Sequence, residues 1–190
     1  MYDDLNKKCA YTNSDDLFTI IDNIQDSGNK INGKASFYPE KLEGRPVACG
    51  NKLKNKNFKF FSNNQLTAAV NSKEFGCGAT LQVSYIDQES DALRSVDVTV
   101  TDKGPFELRK GRLVPHGNVI IDLSKEAFCI LLYDMDYKNK NYKPGDCLSN
   151  PGRRKTIEEK GILQNVQVKN KNIENVGKPF EIKAEYFKKD

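Results

Sequence analysis

Asp102 is the side chain in this sequence best placed for proton chemistry. It ends the alternating run Val96-Asp-Val-Thr-Val-Thr101 and stands just before Lys103-Gly104-Pro105. Gly-Pro turns the chain there, and a carboxylate at a strand end beside a turn projects toward a groove rather than into a core. Such a group serves as a general acid and then as a base, provided burial raises its pKa toward neutrality. The alternative is local: Asp102 orders its own turn through Asx-type hydrogen bonds. Asp122 also has two readings. It lies in Ile120-Ile-Asp-Leu-Ser124, where it either helps form the same groove or joins Ser124 in capping a following helix.

Other reactive side chains are sparse. His116 is the single histidine, and Val114-Pro-His-Gly-Asn118 reads as an exposed loop. With no nucleophilic Ser or Cys signature beside it, a catalytic triad is not expected. The five cysteines, at positions 9, 49, 77, 129 and 147, form no C-x-x-C pair. A zinc site is not expected from them, nor is any other metal or cofactor. Cys49 and Cys77 each precede a glycine. A disulfide between them would close a loop of about 28 residues and contribute roughly 3 kcal/mol. The pairing of Cys9, Cys129 and Cys147 stays open, and the odd count leaves at least one thiol unpaired or joined to another chain.

The elements that must position these residues are mostly short strands. Strand-like runs occur at Ala35–Tyr38, Gln65–Val70, Thr80–Ile86, Val96–Thr101 and Val119–Leu123, separated by turns. The run ending at Thr101 alternates cleanly, so one face is buried and the other wet. Short strands at this spacing suggest a small closed barrel. Ser124–Leu132 reads as a helix with Ser124 as N-cap and Ala127, Phe128, Leu131 and Leu132 as its apolar stripe. A second helix is expected at 13–28, with Asp15 and Asp16 in its first turn and Leu17, Ile20, Ile21 and Ile24 at helical spacing. Residues 134–160, rich in Lys, Asn, Gly and Pro, read as a long loop tied down by Cys147. Gly161–Lys169 and Lys178–Phe187 alternate again, as closing or final barrel strands. The chain thus divides into an N-terminal helical segment (1–30), a barrel (31–133, its core at 33–128) and a loop-rich extension with closing strands (134–190).

The 190 residues carry 30 basic and 26 acidic side chains, a net charge of +4. No run approaches the ~18–20 apolar residues of a membrane span. The lysines are dispersed among asparagines, as in Asn51-Lys-Leu-Lys-Asn-Lys-Asn57. That pattern reads either as a solvated surface or as attraction to an acidic polymer such as a cell-wall glycan. Nothing resembles a zinc finger, an arginine cluster or an RNA-binding aromatic motif, so nucleic acid is not expected as a partner.

Six short motifs, in order, carry a resemblance. They are Gly33-Lys-Ala-Ser-Phe-Tyr38, Val47-Ala-Cys-Gly-Asn51, Leu66-Thr-Ala-Ala-Val70, Glu74-Phe-Gly-Cys77, Thr101-Asp-Lys-Gly-Pro-Phe106 and Val119-Ile-Ile-Asp-Leu-Ser124. Together they resemble the RlpA-like and expansin-like double-psi β-barrel families over about half of the chain. The resemblance implies a mainly β fold, a six-stranded double-psi β-barrel with short helices, and a groove that holds an extended glycan. In bacterial members the glycan is peptidoglycan, cut by a lytic transglycosylase; in expansins the barrel loosens plant walls without hydrolysis. Asp102 falls on the family's essential aspartate. The matched motifs also imply substrate contacts at Ser36, Tyr38, Asn51, Thr101, Lys103, Phe106 and Asp122. Phe37 and Tyr38 alternate, so one faces the groove; Tyr38 fits a sugar better, with core packing as the alternative for either. Four departures stand out. Asn51 replaces the family's glutamate, Val70 its histidine and Lys103 its arginine, and Glu107–Gly117 is an insertion, with Glu107 a candidate second carboxylate. The leading expectation is binding of a peptidoglycan-type cell-wall polysaccharide with lytic cleavage through Asp102. The alternatives are a non-catalytic expansin-like wall-loosening or carbohydrate-binding module, or a secreted interaction or virulence factor. The chain begins Met-Tyr-Asp-Asp, a start that reads as lacking the basic and apolar stretches of a leader. The resemblance favours a secreted, periplasmic or cell-envelope protein with its leader removed over a cytosolic one.

Overall fold

Alternating valines build the longest strand among the described residues. The structure, a computed structural model, describes residues 30–71, 75–109, 112–116 and 118–171. The expected helix at 13–28, Cys9 and the expected strand at 178–187 lie outside these residues. Strand β4 spans Leu93–Lys103, with Val96, Val98 and Val100 buried and Asp97 and Thr99 half-exposed. Its Leu93–Thr99 portion pairs antiparallel with the whole of β3 (Thr80–Ile86), from Thr80 opposite Thr99 to Ile86 opposite Leu93. The turn between them is an Asx-type turn, in which Asp87 accepts hydrogen bonds from the backbone N–H groups of Glu89 and Ser90.

Four more strands close the barrel. They are β1 (Lys30–Phe37), β2 (Thr67–Val70), β7 (Val119–Leu123) and β8 (Leu163–Asn170). The order around the barrel is β1-β7-β2-β4-β3-β8. The pairs β1/β7 and β2/β4 are parallel, whereas β2/β7, β3/β4, β3/β8 and β1/β8 are antiparallel. The closed, mixed six-stranded barrel leaves no open sheet edge. Its sixth strand, β8, comes from beyond residue 133. The insertion after Phe106 folds into a hairpin of its own, β5 (Phe106–Arg109) against β6 (Arg112–Pro115).

Two helices pack on this frame. Helix α1 spans Lys125–Tyr133, and its N-cap Ser124 accepts a hydrogen bond from the Ala127 N–H as the sequence predicts. Ala127, Phe128, Ile130 and Leu131 join the barrel core with Leu81, Ile121 and Leu123. Helix α2 (Pro151–Lys160) lies where the sequence reading places only loop. It buries Ile157 alone, so it has no apolar stripe to reveal it. Its signal is punctuation instead: Asn150 caps the first turn, Pro151 occupies its start and Gly161 ends it. Among the described residues no helix is long and apolar enough to cross a membrane.

Two disulfides staple the chain. Cys49 bonds Cys77, as the sequence suggests, and Cys129 bonds Cys147. The second links α1 to the 134–150 segment, and a buried carboxylate reinforces it. Glu126 is fully buried and accepts hydrogen bonds from the Tyr142 hydroxyl, the Cys147 N–H and the Leu148 N–H. Burial and this carboxylate hold the Tyr142 phenol well above its ordinary pKa, so it remains a donor. Replacing the carboxylate strands three donors at once. Glu126→Ala is expected to cost about 3 kcal/mol and to lower the melting temperature by roughly 6–12 °C. Denaturant unfolding checks this; a loss below about 1 kcal/mol would mean that the disulfide alone holds the segment.

Candidate functional site

The site is a row of residues across four strands on the outer face of the barrel. Along β1, Ala35 and Phe37 pack on the core, so Ser36 between them faces outward. Ser36 is in register with Asp122 of β7, which lies between buried Ile121 and Leu123. Asp122 is in register with Ala69 of β2, and Ala69 with Asp102 of β4. With strands about 4.8 Å apart, the two aspartates start from Cα positions roughly 10 Å apart, with a single methyl side chain between them.

A register shift places Asp102 there. Continuing the alternation of Val96, Val98 and Val100 would aim residue 102 into the barrel. Between the pairs Ala68–Val100 and Ala69–Asp102, however, β4 holds one extra residue, Thr101. A one-residue slip exchanges the faces of a strand, so Asp102 emerges on the outside. Thr101 is 1 % exposed, and its hydroxyl is buried without a hydrogen-bond partner. Gly104 follows at φ +142°, a conformation that side chains rarely adopt. A Cβ there would sit 3.8 Å from the Asp122 Oδ2 and 3.8 Å from the Ala69 Cβ, so glycine leaves that side of the row open.

The segment from Pro39 to Phe61 half-buries the row. Tyr38, Val47, Phe61 and Ala69 form a small apolar cluster of their own, with the Tyr38 and Phe61 rings 4.3 Å apart. Tyr38 is 6 % exposed, and its hydroxyl donates to Asp102 Oδ2 at 3.2 Å. Asp102 Oδ1 accepts from the Ala48 N–H at 3.0 Å and the Lys103 N–H at 2.8 Å. Asp122 Oδ1 accepts a short hydrogen bond from the Ser36 hydroxyl. Burial raises the pKa of Asp102, opposed by the Ala48, Lys103 and Tyr38 donors and the Lys103 charge. Burial also raises Asp122, opposed by Ser36 and the His116 charge and reinforced by the negative charge of Asp102. Burial and both carboxylates push the Tyr38 phenol well above its ordinary range. The row therefore holds two carboxyl groups that keep their protons to higher pH than usual, with two hydroxyl donors beside them. That is equipment for general acid–base chemistry.

Ser36, Tyr38, Asp102 and Asp122 are brought together. Lys103 is half-buried and adjoins them, and its backbone N–H binds Asp102. Phe106 begins β5, half-buried. Thr101 is buried away from the outer face, and Asn51 is exposed in the turn after Cys49. The side chain of Glu107 lies outside the described residues. Asp122 does not cap α1: Ser124 alone makes that bond, and Asp122 turns to Ser36. Asp102 does bind its own following N–H, but it also bridges to the distant Ala48. Phe37 packs edge-on against Phe128, 5.1 Å between centroids. His116 is exposed, yet its charge acts on Asp122. The sequence reading misses Ala48, which works through its backbone and has no side-chain signal. It also misses Asn71, whose amide holds the Val119 carbonyl at 2.9 Å beside the row. A pocket of about 730 Å³ opens elsewhere, lined by Glu40, Asn63, Lys125, Lys143 and Arg154 among others, and none of the row lines it. Among the described residues no three His, Cys, Asp or Glu side chains gather as a metal site requires.

The raised carboxyls have a measurable consequence. Between the ordinary Asp value of 3.8 and the raised folded value, the folded chain binds more protons than the unfolded chain. Stability contributed by these groups is therefore lost as pH rises through that window. Asp122→Asn removes one such group and keeps an oxygen for Ser36. The variant is expected to melt a few degrees above the wild type at pH 7, with the gap closing as pH falls below the ordinary carboxyl range. Thermal melts across pH check this; a lower melting temperature for the variant at pH 7 would show that the ionised Asp122–Ser36 pair is the stabilising state.

Comparison with protein-family models finds no match for this chain, and comparison with curated proteins finds none either, so its function has to be read from its own residues.

Proposed function

We propose that this protein is a secreted, cell-wall-directed double-psi β-barrel of the RlpA-like and expansin-like kind, which binds a peptidoglycan-type glycan on its outer-face row and cleaves it lytically through Asp102. The observation that carries this reading is the pair of half-buried carboxyl groups, Asp102 and Asp122, flanking Ala69 in one line with Ser36. The six sequence motifs and the mixed six-stranded barrel support the same reading, and two disulfides favour an oxidising compartment.

The chemistry follows from the donors around Asp102. Its Oδ1 is occupied by two backbone N–H groups, which favour negative charge on that oxygen. The transferable proton then belongs on Oδ2, next to the Tyr38 hydroxyl. Oδ2–H gives its proton to the glycosidic oxygen as the bond to the anomeric carbon breaks. Positive charge develops on the sugar, and an ionised Asp122 in the same row stabilises it. A hydroxyl of that sugar closes on the anomeric carbon and returns its proton to Oδ2, so one carboxyl serves as acid and then as base. Tyr38 positions this oxygen throughout, donating to the carboxylate and accepting from the acid.

A second reading, a glycan grip without cleavage, draws on the same geometry. All three donors to Asp102 favour its carboxylate over its acid form. Incubation with purified peptidoglycan separates the two. Cleavage predicts products with an anhydro terminus, detected by mass spectrometry, and Asp102→Asn is expected to lower their release by about 10²-fold or more while wall binding survives. Binding without release favours the grip. Release that Asp102→Asn leaves intact removes Asp102 from the chemistry, and failure to bind peptidoglycan or plant-type wall polysaccharide overturns the glycan reading.

A further inference from the structure

The segment that half-buries Asp102 is also the most one-sided stretch of charge in the described chain. Arg45, Lys52, Lys54, Lys56 and Lys59 lie within it, and no Asp or Glu occurs between Arg45 and Asn71. All five cations are exposed. Elsewhere several cations have acidic partners: Lys125 meets Glu40 and Glu158, Lys138 and Lys171 meet Asp97, and Arg94 meets Asp87. Among the described residues none of these five forms an ion pair. Phe60 beside them is 49 % exposed, with the Lys59 ammonium 5.9 Å from its centroid.

This basic loop is firmly held. Val47 N–H donates to the Lys59 carbonyl and Phe61 N–H to the Arg45 carbonyl, which joins the two ends of the loop. Cys49 is tied to Cys77 and donates its N–H to the Thr101 carbonyl, and Ala48 N–H is tied to Asp102. A Cβ on Gly50 would lie 2.9 Å from the Lys59 carbonyl oxygen, so only glycine allows that approach. Leu53 sits against Gly78, where a Cβ would come within 3.2 Å of the leucine methyl. Burial and the like charge of Lys52 hold the Lys103 ammonium below its ordinary pKa, so the loop's charge reaches the residue after Asp102. Like charges carried on one held segment repel, and among the described residues no ion pair compensates them.

We infer that the polymer bound at the row is an acidic polysaccharide, whose carboxylate-bearing sugars lie along the Arg45–Lys59 loop while an adjoining sugar lies over Asp102. This rests on the glycan reading of the row and specifies its substrate class. Charge spacing separates a glycan from a nucleic acid here. A phosphate on every residue would continue over the Asp102 and Asp122 carboxylates and be repelled. A glycan acidic only at intervals sets charged groups on the lysines and an uncharged ring over the aspartates. Four of the five cations are lysines, point charges rather than the planar forks that read bases and phosphates.

The test measures binding of the full chain to four probes: hyaluronate, which carries a carboxylate on every second sugar, its methyl ester, a neutral β-glucan and duplex DNA. The acidic form is expected to bind at least tenfold tighter than the ester, which keeps the backbone but loses the charge, and tighter than the glucan or DNA. Replacing Lys52, Lys54, Lys56 and Lys59 together by Gln is expected to lower that affinity roughly tenfold or more, since each exposed contact contributes a factor of a few. Added salt should lower wild-type binding and barely affect the variant. A melting curve controls for folding; if the fourfold variant does not fold, Lys54→Glu alone is expected to lose about threefold. Equal binding of acid and ester, or full affinity in the charge variants, overturns the inference while leaving Asp102-dependent cleavage of peptidoglycan intact. Preference for DNA overturns it in favour of a phosphate polymer. Binding to none of the probes overturns it as well, and loss of peptidoglycan binding in the same chain shows that the glycan reading has failed with it.

Discussion

Strand β4 carries one residue more than β2 can match, because Ala68 lies opposite Val100 and Ala69 opposite Asp102. The site depends on that offset. Val96, Val98 and Val100 fill the barrel, and a strand without the extra residue would send the Asp102 carboxylate in after them, where no cation waits for it. The offset instead sets Asp102 in line with Ala69, Asp122 and Ser36. The cost falls on Thr101, whose buried hydroxyl lacks a hydrogen bond, about 1–3 kcal/mol for a group of that kind. The backbone at this point is secured in return by the Cys49 N–H on the Thr101 carbonyl, and Cys49 is itself fixed by its disulfide.

The two carboxyl groups of the row are set differently by what surrounds them. Both are raised by burial. Asp102 is wrapped by two backbone N–H groups and a phenol, all of which favour the ion. Asp122 meets a serine hydroxyl and the more distant charge of His116, while negative charge on Asp102 keeps it protonated longer. A proton on either one makes ionisation of the other easier. A row built in this way can hold one acid and one carboxylate together; lytic cleavage needs the proton on Asp102, whereas a grip without cleavage needs only its ion.

Much of this was legible in the sequence, for identifiable reasons. Strands β3 and β7 have the bounds that alternation predicts, because each has one face in the core and its ends marked by turns. Ser124 was readable as a cap, and Cys49 and Cys77 as a pair. Helix α2 was not, since a helix that buries only Ile157 has no hydrophobic period to detect. The Cys129–Cys147 pair was hidden by an odd cysteine count that allows several pairings. In the row, side chains were readable and backbone was not: Asp102, Asp122, Ser36 and Tyr38 were named on their motifs and lie together, but Ala48 contributes only an N–H. The offset at Thr101 was beyond reach because a bulge is defined by the strand opposite, and sequence does not say that β2 lies beside β4.

One loop performs two tasks that would otherwise conflict. To raise the pKa of an acid it must exclude water from Asp102, and to present cations it must keep Lys52, Lys54, Lys56 and Lys59 in water. The chain resolves this by direction. Val47 and Phe61 turn inward to join Tyr38 and Ala69, while the lysines occupy the outer side of the same short segment. Both tasks fail if the loop moves: Asp102 would return to water and to an ordinary carboxyl pKa, and the cations would spread apart under their own repulsion. This accounts for so many restraints on so few residues, a disulfide, a carboxylate bridge and a glycine contact that no larger side chain could make. The restraints that fix Asp102 therefore also fix the charged segment beside it.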